Sequence, residues 1–162
     1  MKYSRLKTEE FSLTELLEKD EIAYYDEKLN SRNIVLEIEK RNDFVIKANK
    51  GKIIQVFDNL MNNSIYWLET NEGEKKITII IDKPWVYFED NGPGIDKSVE
   101  NTLFNPFVTC KPEGKGRGLG LFIIQQLLDD CGCDIVLDPK RNNYGHKYRF
   151  SLNMYGLISN KK

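Results

Sequence analysis

The chain has 162 residues, 40% of them hydrophobic and 30% charged, which suits one soluble globular domain with a substantial core. A formal net charge of −1 gives no electrostatic reason to expect a nucleic-acid or anionic-membrane partner. No apolar run approaches the roughly 20 residues that span a bilayer, and Met-Lys-Tyr-Ser-Arg-Leu-Lys at the start has no apolar signal core behind it. Three cysteines without a secretion signal point to a reducing, cytosolic setting.

Residues 1–11 are polar and read as a linker or the tail of a preceding element. Ser12 followed by Glu15 fits a capping box, and Leu13, Leu16, Leu17 and Tyr24 mark a helical stripe reaching about Leu29. Asn30-Ser31-Arg32-Asn33 ends it. Ile34, Leu36 and Ile38 alternate with Val35, Glu37 and Glu39, as in a half-buried strand. Arg41-Asn42-Asp43 reads as a turn, and Phe44 to Ala48 as the partner strand of a hairpin.

A helix is expected from about Lys52 to Leu68, with Ile53, Val56, Phe57, Leu60 and Ser64 on one face and Asn59, Asn63 and Tyr66 on another. Two β-rich runs follow, Ile77 to Ile81 and Trp85 to Glu89, split by Lys83-Pro84. The second delivers Asp90 to its strand end, where Asp-Asn-Gly-Pro-Gly-Ile spans 90–95. A polar connection leads to Gly-Arg-Gly-Leu-Gly-Leu at 116–121, which opens an apolar helix ending near Leu128. Asp134 to Leu137 and Tyr148 to Leu152 read as the last strands, and the tail after Asn153 as frayed. This order predicts an α+β fold, a layered sandwich with helices segregated on one face of a sheet.

A carboxylate followed by a glycine turn, and later a glycine-rich loop opening a helix, suits a nucleotide held at both ends. The base would meet Asp90. Glycines let backbone N–H groups come close to phosphates, and a helix N-terminus adds a favourable dipole. Each block alone has a plainer reading: Asn-Gly and Pro-Gly make ordinary turns, and Asn59 and Asn63 make a solvated helix face. Cys131-Gly-Cys133, with only Cys110 and His146 left as soft ligands, reads as thiols rather than a metal site. His146, the one histidine, reads as a residue of the last strand region, not as an exposed helical phosphoacceptor.

Four blocks in register resemble the ATP-binding domain shared by sensor histidine kinases, DNA gyrase, heat-shock chaperone ATPases and mismatch-repair ATPases, the GHKL superfamily with the Bergerat fold. Asn59-Leu-Met-Asn-Asn63 resembles the N box and Asp90-Asn-Gly-Pro-Gly94 the G1 box. Phe104-Asn-Pro-Phe107 resembles the F box and Gly116-Arg-Gly-Leu-Gly120 the G2 box. The resemblance implies a two-layer α/β sandwich with a mixed, mostly antiparallel sheet, helices on one face and an ATP lid over about 96–115. It implies one ATP-binding domain over 12–153, flanked by the segment 1–11 and a tail at 154–162.

It also implies roles. Asp90 would accept the adenine amino proton, with Gly92, Gly94 and Ile95 wrapping the base. Asn63 would hold Mg²⁺ through its amide oxygen. Thr109, Lys111, Lys115, Gly116, Arg117, Gly118, Leu119 and Gly120 would line the rest of the nucleotide site, the lysines and Arg117 either contacting phosphate or simply solvating the lid. Phe104 and Phe107 would anchor the lid. In hydrolysing branches, and in anti-sigma-factor serine kinases, a glutamate general base sits one turn before the Mg²⁺ asparagine. Asn59 stands there and takes no proton at neutral pH.

The expectation is therefore a histidine-kinase catalytic domain that binds Mg-ATP and phosphorylates a histidine outside this chain. Partners would be a dimerisation and phosphotransfer domain and a response regulator, with no nucleic acid, the domain itself being monomeric and cytosolic. The rivals are a self-contained ATPase driven by lid closure and a non-catalytic interaction module. Two departures stand out: Tyr66-Trp67 replaces the Lys-Tyr that often follows the N box, and Lys147 falls near a position often held by a small hydroxyl residue.

Overall fold

The structure, a computed structural model, describes residues 7–107 and 120–159. Its elements run β1 (Glu9–Ser12), α1 (Leu13–Leu16), a π-helical turn (Leu17–Glu21), α2 (Ile22–Asn30), β2 (Ile34–Asn42) and β3 (Val45–Ala48). Then come α3 (Lys50–Leu68), β4 (Lys75–Asp82), β5 (Trp85–Asp90), α4 (Gly120–Asp129), β6 (Asp134–Leu137) and β7 (Arg149–Asn153). A five-stranded sheet has the order β2-β4-β5-β7-β6, and β1 and β3 form a separate two-stranded ribbon. Among the described strands, only the β2–β4 pair is parallel. The fold is α+β, a mixed and mostly antiparallel sheet with helices, as the sequence predicts.

Strand alternation decides which face is covered. Ile77, Ile79, Ile81, Val86, Phe88, Ile135 and Leu152 are buried in one cluster with Ile53, Val56, Phe57, Leu60 and Met61 of α3. The opposite face carries Trp85 stacked on Tyr87, with the Arg149 guanidinium over Tyr87 and ion-paired to Glu89. Ile80 lies opposite Tyr87 in the register and is buried on this second face. That explains the near-continuous isoleucine run in β4.

Three expectations need correction. β2 and β3 do not form a hairpin: β2 pairs with β4 and β3 with β1. The chain leaves the sheet at Asn42, and Asp43 accepts hydrogen bonds from Thr14 Oγ1 (2.6 Å), Ser12 Oγ (3.1 Å) and its neighbour Phe44 N (2.8 Å). That anchor turns β3 away towards β1. The residues 9–11 read as linker are therefore part of a strand. The C-terminal segment is not frayed through Ser159 either. Met154 and Ile158 are buried, Tyr155–Leu157 forms a 3₁₀ turn, and Ile158 bridges to Ile46 of β3.

The first helix starts at Ser12, whose Oγ accepts from Glu15 N (3.2 Å), as predicted. α3 starts two residues earlier than predicted because Asn49 caps it, its Oδ1 accepting from Lys52 N (3.2 Å). Between the helices lies a polar chain that runs from partly buried groups out to the surface. Tyr25 donates to Asp58 (3.1 Å), Asn62 donates to Tyr25 Oη (3.2 Å), and Lys28 donates to Asn62 (3.1 Å). Glu21, 2% exposed, sits beside Asp58, and its Oε2 has no hydrogen-bond partner.

Burial first, and then the Asp58 charge and hydrogen bond, push the Glu21 carboxyl up to about 8. A carboxyl raised in the fold holds a proton that the unfolded chain releases above about 4.5. Stability from this group is therefore full below that value and falls as pH rises towards 8. Glu21→Gln should remove the decline. Urea unfolding at pH 6 and pH 8 should show the wild type losing about 2 kcal/mol more than the variant. Parallel behaviour of the two proteins would exclude a protonated Glu21.

Candidate active site

α3, the end of β5 and the start of α4 converge on one site. Asp90 leaves β5 with its side chain towards α3, where Ser64 Oγ donates to its Oδ2 at 2.5 Å. Gly92 N donates to its Oδ1 at 2.8 Å. Burial raises the carboxyl above its ordinary range, and these two donors oppose that shift. Each oxygen keeps acceptor capacity, so the group remains able to receive a further donor.

The turn after Asp90 is held from both sides. Asn91 Oδ1 accepts from Lys76 N (2.8 Å), and its Nδ2 donates to Glu74 O (2.8 Å). Gly94 has φ +82°, and a Cβ there would stand 2.7 Å from His146 Cβ and 3.0 Å from Lys147 O. No side chain fits. Ile95 N donates to Lys147 O at 2.8 Å.

Asn59 and Asn63 lie one helical turn apart on α3, facing the start of α4. A Cβ at Gly120 would lie 3.6 Å from Asn59 Oδ1 and 3.9 Å from Asn63 Nδ2. Asn59 Nδ2 donates to Gln55 O at 3.0 Å, which leaves its amide oxygen as the group facing Gly120. Amide oxygens are hard ligands of the kind Mg²⁺ takes, and the Asp90 carboxylate can accept a hydrogen bond from an adenine amino group. The residues present therefore fit Mg-ATP.

The structure thus brings together Asn59, Asn63, Asp90, Gly92, Gly94, Ile95 and Gly120. Thr109, Lys111, Lys115, Gly116, Arg117, Gly118 and Leu119 lie outside the described residues, as does Cys110. Lys147 is ion-paired to Glu100 (3.2 Å) and so is engaged within the protein. Tyr66 and Trp67 are half-buried and pack edge to face at 5.0 Å.

The two F-box phenylalanines behave differently. Phe104 packs edge to face on Phe150 at 6.1 Å and anchors its segment. Phe107 is 74% exposed with φ +68°, so it is neither an anchor nor a core residue. Among the described residues, no group of three or more His, Cys, Asp or Glu side chains could hold a metal. Burial pushes the Cys131 thiol up, and Cys133 is buried.

Two contributors escaped the sequence reading. Ser64 sits on the apolar stripe of α3, and a hydroxyl in that stripe was a signal for a buried acceptor nearby. The loop before β7, which carries Asn142 and His146, offered no such sign. A groove of about 650 Å³ opens at the Asp90–Gly92 turn, lined by Lys76, Glu89, Arg141 and Tyr148 among others. Asp90 and Gly92 also line it, whereas Asn59 and Asn63 do not.

A carboxylate at a strand end, paired asparagines on the facing helix and a glycine at the next helix start define an ATPase-type nucleotide domain. The family described as histidine kinase-, DNA gyrase B-, and HSP90-like ATPase matches residues 48–155, and the chain belongs to that family. It is similar to sensor protein TdiS of Thauera aromatica, 30% identical over 110 residues, covering 64% of this chain and 20% of that protein. It is 29% identical over 132 residues to the autoinducer 1 sensor kinase/phosphatase LuxN of Vibrio harveyi, covering 75% and 14%. The chain thus spans a fifth or less of the length of these relatives.

The catalytic domain of histidine kinase ThkA superimposes with a TM-score of 0.71 at 30% identity, over 91% of this chain and 96% of that one. The chain is a catalytic domain of the histidine-kinase type, homologous to the sensor kinases of two-component systems. Among the described residues, no helix is long and apolar enough to cross a membrane.

Proposed function

We propose that this domain binds Mg-ATP between Asp90 and the start of α4 and donates the γ-phosphoryl group to a histidine outside the chain. Asn59 carries this reading. It occupies the position where the resemblance places a glutamate base in hydrolysing relatives, and an amide cannot take a proton from water or a hydroxyl. A neutral imidazole brings its own lone pair and needs no base. Catalysis then rests on positioning and charge stabilisation.

The roles divide by element. Asp90, fixed by Ser64 and Gly92, accepts from the adenine amino group and disfavours guanine, whose carbonyl would meet a carboxylate. Asn63 presents its amide oxygen to the metal, and Gly120 leaves open the space that a side chain would fill. Mg²⁺, when bound, neutralises charge on the phosphates. Thr109, Lys111, Lys115, Gly116, Arg117, Gly118 and Leu119 complete the phosphate side in this reading.

The ATP-binding unit extends from Glu9 to about Ile158, wider than the 12–153 expected, with its lid over about 96–115. Its partners are a dimerisation and phosphoacceptor domain and a response regulator, and its setting is cytosolic. In support, the relative ThkA has been solved in complex with response regulator protein TrrA.

Calorimetric titration with adenylyl imidodiphosphate tests the binding half. The wild type should bind more tightly with Mg²⁺ than without it. Asn63→Ala should lose that difference and keep the metal-free affinity within about threefold. An undiminished Mg²⁺ effect in the variant would remove Asn63 from the metal site. Steady phosphate release by the chain alone would favour an ATPase instead.

A further inference from the structure

We propose that His146 is a positioning residue of the nucleotide pocket, holding the Pro93–Ile95 turn so that Asp90 and the glycines meet the adenine in a fixed arrangement. The inference rests on the reading of Asp90 as the adenine acceptor. His146 Nδ1 lies 2.9 Å from Pro93 O, and Asn142 Nδ2 donates to the same oxygen at 3.2 Å. A carbonyl only accepts, so Nδ1 carries the proton in this contact. The two donors fill both lone pairs of the one carbonyl between the two glycines of the turn.

The loop that supplies them is built in advance. Asn142 Oδ1 accepts from Tyr144 N and His146 N, both at 3.0 Å, and Gly145 N donates to Asn142 O at 2.9 Å. Gly145 has φ +79°, which closes this tight turn. Its outward bonds run to pocket elements. Lys147 O accepts from Ile95 N, and Arg141 and Lys147 both pair with Glu100, at 2.9 and 3.2 Å. Glu100 is the base of the lid segment, and its carboxylate is only 10% exposed. One loop therefore grips both the adenine turn and the root of the lid. Because these bonds end on a surface turn and not in the core, losing one should affect ligand affinity more than folding.

The histidine's geometry supplies the test. Asparagine places Nδ2 as far along the side chain as Nδ1 of histidine, whereas glutamine places its amide one bond further out. Titration with adenylyl imidodiphosphate should show His146→Ala weakened about three- to tenfold, the scale of one lost hydrogen bond. His146→Asn should return to within about twofold, and His146→Gln should behave like alanine. The nucleotide-free melting temperatures of all three should stay within about 2 °C of the wild type. Wild-type affinity in the alanine variant, or equal rescue by asparagine and glutamine, would overturn the assignment. If alanine fails to fold, the asparagine–glutamine pair decides alone. Asp90→Asn in the same series separates the two failures. If it binds like the wild type, or the wild type does not bind, the adenine reading fails and this proposal falls with it.

Discussion

Asp90→Asn should weaken binding of adenylyl imidodiphosphate by about 100-fold or more, with little change in the stability of the free domain. Three donors converge on this group: Ser64 Oγ, Gly92 N and, in the proposed complex, the adenine amino group. A carboxylate answers them with two oxygens and a full charge. An asparagine has one acceptor atom and turns an N–H₂ towards a partner that also donates. The hydroxyl of Ser64 can rotate and accept, but Gly92 N–H cannot, so the amide oxygen is drawn to Gly92 and away from the ligand. A lost charge-assisted bond and an unpaired buried donor together amount to about 3 kcal/mol, or roughly the 100-fold stated. Calorimetric titration reads it directly. Equal affinity in variant and wild type would place the adenine elsewhere.

Gly156→Ala should be the most destabilising single methyl addition among the described glycines. Helix α4 ends with Gly132 at φ +70° and Cys133 N donating back to Leu128 O at 2.8 Å. The carbonyls of Cys131 and Gly132 then lie directly against Gly156. A Cβ on residue 156 would overlap Gly132 O and stand 2.5 Å from Cys131 O, both rigid backbone atoms. The C-terminal turn would have to lift, freeing Met154 and Ile158 from the core and from β3. A loss of about 3 kcal/mol is expected, the upper range for overpacking. That lowers the melting temperature by roughly 6 to 12 °C. Melting within about 2 °C of the wild type would mean that the C-terminal turn is not seated as described.

The residues proposed to carry chemistry could be picked out because their signals are local. A carboxylate at the end of an alternating strand, glycines after it and asparagines four apart on a helix need no knowledge of distant contacts. The helix expected from about Lys52 and the strands expected at 77–81 and 85–89 declared themselves by pattern, and Ser12 by its capping partner. What escaped depends on pairing across the chain. A short turn joins β2 to β3, so a hairpin was the local inference. Asp43 bonded to Ser12 and Thr14, thirty residues away, sends β3 elsewhere. The strand at Glu9–Ser12 is a polar ribbon whose order comes from β3, and Met154–Ile158 is ordered by the gap beside Gly132. The resemblance made Phe107 an anchor of the lid, yet it is exposed, with φ +68°. His146 read as a strand residue because nothing in its own neighbourhood reports that Pro93 lies 2.9 Å from its ring.

One labelling measurement shows where the γ-phosphoryl group goes. The domain is incubated with Mg²⁺, γ-labelled ATP and a separately purified histidine-bearing phosphoacceptor domain. The label is then followed on protein and in inorganic phosphate. Label should appear on the acceptor histidine, in a bond labile to acid and stable to alkali, with little free phosphate, and neither should appear with Asp90→Asn. Rapid appearance of inorganic phosphate while the acceptor stays unlabelled would contradict this expectation, and would mean that water is activated here without a base at Asn59.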